Sequence, residues 1–137
     1  MQENVLNGCT TSFDIVELFD LISSMDSSKS FKDLRVWQDA IDLTVEVYTL
    51  LRNLKDFGYR DQITRACISI SNNIAEGQNR GSRREFIRFL HIARGSKNEV
   101  ISMVHLGRKL GYLQDIDIEH KFTQLSTRIL RLIQALN

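Results

Sequence analysis

From residue 36 onward, apolar and small residues recur at alternating intervals of four and three, in four successive segments. This spacing places them along one side of an α-helix, as a seam that must be buried against other helices. The four seams are Val36, Ala40, Leu43, Val47, Leu50 and Leu54; Ile63, Cys67, Ile70 and Ile74; Phe89, Ala93, Ser96, Val100, Met103, Gly107 and Leu110; and Ile118, Phe122, Leu125, Ile129, Leu132 and Leu136. The chain has no proline and no strand pattern, so an all-α fold of four long helices is predicted.

The segments are joined by short corners, which leave consecutive helices antiparallel and in contact. Residues 56–59 interrupt the first seam, and Gly111 is expected to close the third helix. Gly77 is expected to take a positive φ just past the end of the second helix. Ser82 and Glu85 are expected to cap the third helix reciprocally. The prediction is an antiparallel up-and-down four-helix bundle over residues 31–137 with a short N-terminal extension.

Residues 1–30 form an acidic N-terminal extension and linker that differs from the rest of the chain. Residues 26–30 are polar, and residues 1–28 contain five acids and no lysine or arginine. The extension is predicted to hold a short amphipathic helix, built on Phe13, Val16, Leu18, Phe19 and Ile22. Two interpretations stand: a loosely docked extension, or an acidic arm that covers a basic or apolar surface.

Cysteine content and hydropathy bear on where the protein works. Cys9 and Cys67 have unlike surroundings, so a disulfide framework is not expected and a reducing cytoplasm is the predicted location. No run approaches the 18 or so apolar residues that span a membrane, and the N-terminus lacks the basic start of a secretory signal. We therefore expect a cytoplasmic protein without a membrane partner.

Four strings of residues, in a fixed order, resemble a known protein family. They are FKDLRVWQDA over 31–40, QITRA over 62–66, SISNNIAEG over 69–77 and FIRFLHIARGSKNE over 86–99. In this order they are similar to the four-helix bundle proteins encoded in intervening sequences of bacterial 23S ribosomal RNA genes. The resemblance spans about residues 31–113. Ser71 stands where the family usually has proline, which affects little beyond a local bend.

The resemblance implies how such a chain assembles and what it contacts. It implies a small antiparallel bundle that forms a homopentamer, with no established catalytic activity. A more distant similarity to the accessory protein of diversity-generating retroelements implies binding to nucleic acid, RNA or DNA, and to a reverse transcriptase. Exposed apolar residues on the third helix, expected at Ile87, Ile101 and Val104, would give a homo-oligomer surface for contacts.

Polar residues within the family strings have a structural interpretation. Because buried polar groups must be paired, they are expected to form a cluster that fixes helix register rather than a reactive site. The cluster is Ser69, Asn73, Glu76, Ser96 and Glu99.

No metal site or cofactor is expected. A di-iron bundle needs Glu-x-x-His on two helices, and the chain contains no such pair. The three histidines, His91, His105 and His120, are too scattered to indicate a zinc site.

The side of the third helix opposite its seam is polar and rich in basic residues over about 37 Å. We call it the basic face: Arg84, Arg88, His91, Gly95, Asn98, Ser102, His105 and Lys109, flanked by Arg80 and Arg94. One interpretation is an ordinary solvated surface. However, Arg80 to Lys97 contains six basic residues and one acid, whereas a merely soluble helix usually mixes both signs. Nucleic-acid contacts are therefore predicted at Arg80, Arg84, Arg88, His91, Arg94, Asn98, His105 and Lys109.

Two other functions compete with nucleic-acid binding. A protein-interaction scaffold would need no basic face at all. A ribonuclease is suggested by Arg84 and His91, whose Arg-x6-His spacing occurs in helical-bundle ribonucleases. That pattern is short and common. We therefore expect a non-enzymatic, homo-oligomeric bundle that binds RNA or a nucleoprotein partner.

Overall fold

The computed structural model describes residues 14–26, 28–114 and 117–137. All regular structure in these ranges is helical, so the predicted all-α class is confirmed. A single 3₁₀ turn at Phe31–Asp33 precedes the bundle. The helices are α1 (Ile15–Met25), α2 (Arg35–Leu50), α3 (Phe57–Asn79), α4 (Arg83–Lys109) and α5 (Asp117–Leu136).

Helices α2 to α5 form the bundle. Helix α3 packs most extensively against α4, α2 contacts both α3 and α5, and α5 also contacts α4. The predicted seam of α5 is buried from Ile118 to Leu136, and all four seam residues of α3 are fully buried. Cys67 lies in this core as a free thiol whose pKa burial raises to about 12, so it is an inert packing residue. The bundle prediction is therefore confirmed.

The end of α2 differs from the prediction. The helix ends at Leu50 rather than continuing to Leu54, and Leu50 is exposed while Leu51 is fully buried. Helix α3 then begins inside the predicted break, at Phe57, with the Asp56 carboxylate accepting the Tyr59 N–H at 3.0 Å. The expected interruption exists but lies earlier, over 51–56 instead of 56–59, because Asp56 already caps the next helix.

Gly77 does not end α3, contrary to the prediction. The helix continues to Asn79, and the positive φ belongs to Gly81, at 69°. Gly77 is buried against α4, where a Cβ would lie 2.6 Å from Cβ of Phe89. Its role is therefore close helix packing. Gly111 has a φ of 76° just past α4, as expected for a glycine that closes a helix.

The cap of α4 works in one direction only. The Ser82 hydroxyl accepts the Glu85 N–H at 3.4 Å, as predicted. The Glu85 carboxylate, however, binds Arg88 at 3.1 Å instead of returning to Ser82. The reciprocal half of the predicted cap is wrong because a cation one turn along the helix binds the carboxylate.

Helix α1 is the predicted short N-terminal helix, and its polar side faces the bundle. Glu17, Asp20 and Ser23 are buried, and Glu17 pairs with Arg131 of α5 at 2.5 Å. Phe13 lies outside the described residues, as does the side chain of Val16.

Asp20 supplies a helix cap to another element. The N-cap position of α2 is Leu34, whose side chain makes no capping hydrogen bond. The Asp20 carboxylate instead accepts the N–H of Arg35 and, at 3.1 Å, the N–H of Val36. An acidic group at this helix N-terminus also faces the favourable end of the helix dipole. Docking of α1 therefore stabilises the start of α2.

The Asp20 contact predicts a pH dependence of stability. Burial raises the pKa of Asp20 to about 6, and the charge of Asp39 adds to it, while the two N–H donors and Arg128 oppose the shift. The folded state therefore favours the protonated form of Asp20, and this contribution to stability is fully present below the ordinary value of 3.8 and is lost as the pH rises through about 6. We expect the thermal midpoint of the wild type, relative to that of Asp20→Asn, to fall between about pH 4 and pH 7. A constant difference in circular-dichroism melts would contradict this.

Candidate nucleic-acid interface

All eight positions of the basic face are exposed on α4. The opposite side of the same helix carries Leu90, Ala93 and Val100, which are fully buried. The 27-residue helix thus presents these eight positions to solvent along one side. Contact with nucleic acid at these residues stays a prediction.

The N-terminal half of this face carries positive charge that the fold leaves largely unneutralised. Within the described ranges, Arg84 and His91 have no hydrogen-bond or ion-pair partner. Arg88 is paired with Glu85 at 3.1 Å, and Arg80 with Glu76 at 2.7 Å. Arg84 is therefore a cation available to a phosphate.

Two arginines flank one aromatic ring beside the basic face. The guanidinium carbons of Arg80 and Arg88 lie 5.3 and 5.4 Å from the centroid of the Phe89 ring. Cation–π attraction at such distances holds the long side chains near the ring. The two cations come from different helical segments and are brought together here, which neither the spacing nor the charge pattern indicates.

Arg94 and Lys97 extend the positive surface toward α5. Arg94 is partly buried, with its Nε 3.5 Å from the Ser126 hydroxyl. Burial and the charge of Arg94 lower the pKa of Lys97. Arg94 and Lys97 thus place two like charges close together on α4. Lys97 was not among the predicted nucleic-acid contacts. Its position three residues after Arg94 on a helix would have been enough to place the two side chains next to each other.

The C-terminal half of the face is partly neutralised from α5. Glu119 accepts from Arg108 at 2.5 Å and lies 3.2 Å from His105 Nε2. These partners, Arg108 first, lower the pKa of Glu119. Lys109 has no such partner among the described residues. Free positive charge is thus concentrated toward the start of α4.

The middle of the basic face is open. A Cβ added at Gly95 would meet no atom within 4 Å, so nothing in the protomer covers this position. Asn98 is exposed one turn further on, and its amide can both donate and accept hydrogen bonds. A ligand backbone can therefore approach α4 closely at its midpoint.

A cleft of about 400 Å³ lies at the start of α4, between the α3–α4 connection and the C-terminal parts of α1 and α5. Arg83 and Lys29 line it together with polar residues of the connection, Gln78, Asn79 and Ser82. It adds two cations to the end of the molecule where Arg84 lies.

The predicted polar cluster is only partly formed. The hydroxyls of Ser69 and Ser96 are 2.8 Å apart, across α3 and α4, and Asn73 Nδ2 donates to the Ser69 carbonyl at 2.7 Å. Glu76 and Glu99 are exposed and lie outside the cluster, because both project toward solvent from the far sides of their helices. One hydrogen bond, between Ser69 and Ser96, therefore links the two helices, and Asn73 supports Ser69 from within α3.

The metal and ribonuclease hypotheses concern two further sets of residues in the described part of the chain. No group of three or more histidine, cysteine, aspartate or glutamate side chains there is arranged to hold a metal ion. Arg84 and His91 share the exposed side of α4 but lie about 10 Å apart along its axis. Among the described residues, no helix has the length and hydropathy needed to cross a bilayer.

The chain is similar to one family and to a solved structure. The sequence profile of the family described as 23S rRNA-intervening sequence protein matches residues 32–137. A crystal structure at 1.70 Å resolution from Bacteroides thetaiotaomicron is described as a protein of unknown function from the S23 ribosomal protein family. The two sequences are 26% identical, and the superposition has a TM-score of 0.66. It covers 72% of this chain and 98% of the chain in that crystal structure. No curated protein matches the chain.

The family match covers the bundle and the basic face. The resemblance inferred from the four strings is thereby confirmed. Neither description names a catalytic activity. Helix α1, which ends at Met25, lies outside the range that the family profile matches.

Proposed function

The chain belongs to the family of 23S rRNA-intervening sequence proteins, and we propose that it is a non-enzymatic, cytoplasmic bundle that binds RNA through the basic face of α4. The observation that carries this proposal is the exposed, continuous face in which Arg84 and Lys109 have no acidic partner among the described residues. Cations held apart from carboxylates are poised to replace the counterions that surround a nucleic-acid backbone.

The proposed binding mode is contact with phosphates rather than reading of bases. Arginine and lysine contacts to phosphate position a nucleic acid without specifying its sequence. The open site at Gly95 lets a backbone approach, and Asn98 and His91 can add hydrogen bonds there. The ligand class is a structured RNA, with DNA as a weaker ligand and a reverse transcriptase as a protein partner of the same complex.

Assembly would strengthen this binding. Several copies in one homo-oligomer, five by the family resemblance, would present several basic faces to one RNA. The second and later contacts then form at high effective concentration, so overall affinity exceeds that of a single face by orders of magnitude.

A salt titration tests the proposal. Binding of a fluorescently labelled RNA hairpin is measured by anisotropy between about 50 and 300 mM KCl. If Arg84, Arg88, Arg94, Lys97 and Lys109 each contact one phosphate, log affinity should fall by about 4 per tenfold increase in salt for each chain engaged. Absence of salt-dependent binding to RNA or DNA at low ionic strength would reject the proposal.

The second candidate function is a protein-interaction scaffold. It is favoured by exposed apolar residues on α4, Ile92 and Leu106, and at its C-cap, Leu110, which are 41 to 49% exposed. Leu110 was predicted as the last buried residue of the third seam, and that prediction is wrong because the helix ends at Lys109. The positions expected to be apolar surface, Ile87, Ile101 and Val104, are instead packed into or against the core. These three residues lie on the side of α4 that faces α3 and α5. The expectation that they form an exposed surface is therefore wrong. A basic face covered by neighbouring copies, without RNA binding, is the outcome that supports the scaffold.

The ribonuclease alternative has its own test. His91→Ala should leave the affinity for RNA within about threefold of wild type, because hydrogen bonds from one exposed side chain add little to phosphate binding. No metal-independent RNA cleavage should appear in either protein. Cleavage by the wild type that is lost in His91→Ala, measured on a denaturing gel, would establish the enzyme instead.

A further inference from the structure

Helix α1 presents its apolar side to solvent. The five side chains Ile15, Leu18, Phe19, Ile22 and Met25, which we call the α1 apolar face, are between 44 and 86% exposed. An amphipathic helix on a protein surface normally buries this side. The arrangement in α1 is the reverse.

The inverted orientation is held in place by specific polar contacts. Glu17 pairs with Arg131 of α5, and Asp20 caps the first turn of α2. Turning α1 over to bury the apolar face would break both contacts and remove the only side-chain cap that the described residues give to α2. The exposed apolar face is therefore a built feature of the docked helix.

The pattern of the α1 apolar face suits pairing with an identical helix. Ile15, Leu18, Ile22 and Met25 follow intervals of three, four and three, the a and d positions of a coiled-coil heptad. A face of this kind is complementary to itself, which is the requirement for a two-fold contact between identical chains. We propose that two copies of this chain associate by packing their α1 apolar faces together.

Charge favours a second copy as the occupant. The carboxylates of Glu17 and Asp20 point into their own bundle, so neither opposes the pairing of two α1 helices. The remaining acids near the face, Asp14 and Asp26, lie at its two ends. A membrane surface fits poorly, because helices that lie on membranes carry lysine and arginine on the polar side, and α1 has neither.

The area is adequate for a stable contact. At the observed exposures the five side chains leave on the order of 600 Å² accessible, the size of the largest apolar patches on monomeric proteins. A stable interface takes about 800 Å² from each partner, so the α1 apolar face supplies most of one side. Neighbouring residues of the bundle would supply the remaining contact area at the edge of the interface.

This contact is independent of RNA binding. The family profile begins at residue 32, and the solved relative covers 72% of the chain, whereas α1 precedes residue 26. The association is thus an addition to the family bundle. It stands or falls separately from the basic face.

Light scattering on the full-length protein tests the association. Ile15→Glu/Ile22→Glu places charges on the α1 apolar face, and we expect its mass in solution to be half that of the wild type at the same micromolar concentration. Because these side chains are exposed in the protomer, the variant should keep the helicity of the wild type. Its thermal midpoint should decrease only by the amount that the contact between the two copies contributes. The matched control is Val45→Glu/Tyr48→Glu on α2, which adds the same charges at exposed apolar positions and should keep the wild-type mass.

Other outcomes overturn the proposal. Equal masses for the wild type and Ile15→Glu/Ile22→Glu would mean that something other than a second copy covers the face. A halved mass in the α2 control as well would show a general effect of charge. If the glutamate variant fails to fold, Phe19→Gln/Ile22→Gln is measured instead, and the same halving is required of it.

Discussion

Reversing Arg84 and Arg88 to glutamate is expected to weaken binding of a structured RNA by at least about 30-fold at 0.1 M salt. Each lost phosphate contact removes roughly 0.7 to 0.9 from the slope of log affinity against log salt, so two contacts flatten it by about 1.4 to 1.8. Arg84→Glu alone should account for at least half of the loss, because Arg88 must give up its pairing with Glu85 to contact a phosphate.

The double variant should stay folded. Both side chains are exposed on the side of α4 opposite the core, and a glutamate at 88 replaces an exposed ion pair with Glu85 and a cation–π contact with Phe89 by a like-charge pair, each change worth roughly 0.5 kcal/mol. Circular dichroism and the thermal midpoint check this before affinity is compared.

The matched control is a reversal of two other exposed arginines. Arg52→Glu/Arg65→Glu changes net charge by the same amount but lies on α3 and the segment before it, away from the basic face. If binding depends on α4, this control retains a steep salt dependence. Equal losses in both variants would show that only net charge matters, and the assigned interface would be wrong.

The sequence predicted the bundle because the spacing of apolar residues within each segment is enough to identify a helix and its buried side. The seam of α5, from Ile118 to Leu136, is buried throughout, since a four–three spacing places residues on one helix side whatever they pack against. Leu50 was misassigned, because the turn after α2 places Leu51 in the core instead. Helix ends depend on such single turns, which a repeat pattern does not encode.

The features missed in the sequence depend on contacts between distant segments. The pattern of α1 identifies an apolar side but not which way that side faces. Its orientation is set by Arg131 and the uncapped start of α2, both remote in sequence. Likewise, Glu76 was predicted in the polar cluster but lies outside it, because Arg80, one turn along the chain, pairs with its carboxylate at the surface.

The exposure of the basic face could be predicted from the sequence. Exposure of the basic face follows from its position opposite the seam, so spacing alone placed Arg84 and Lys109 in solvent. Which cations remain unneutralised could not be predicted that way. It depends on Glu119, which reaches across from α5 to Arg108 and His105.

Two glycines of neighbouring helices should respond to alanine in opposite directions. At Gly77 a Cβ would lie 2.6 Å from Cβ of Phe89 and 3.4 Å from Cα of Phe86, so α3 and α4 must move apart. Overpacking of this kind costs about 1–3 kcal/mol, against a gain of about 0.5–1 kcal/mol from replacing a helical glycine. We expect Gly77→Ala to lower the free energy of unfolding by about 1–2 kcal/mol.

Gly95→Ala provides the comparison on α4, because nothing lies within 4 Å of the added Cβ. Only the backbone-entropy gain remains, so this variant should be more stable than wild type by about 0.5–1 kcal/mol. Urea unfolding followed by circular dichroism measures both changes. If Gly77→Ala were also stabilising, the close approach of α3 and α4 at Phe89 would be wrong. The register that aligns Ser69 with Ser96, and with it the outward direction of Arg84, would then need to be redrawn.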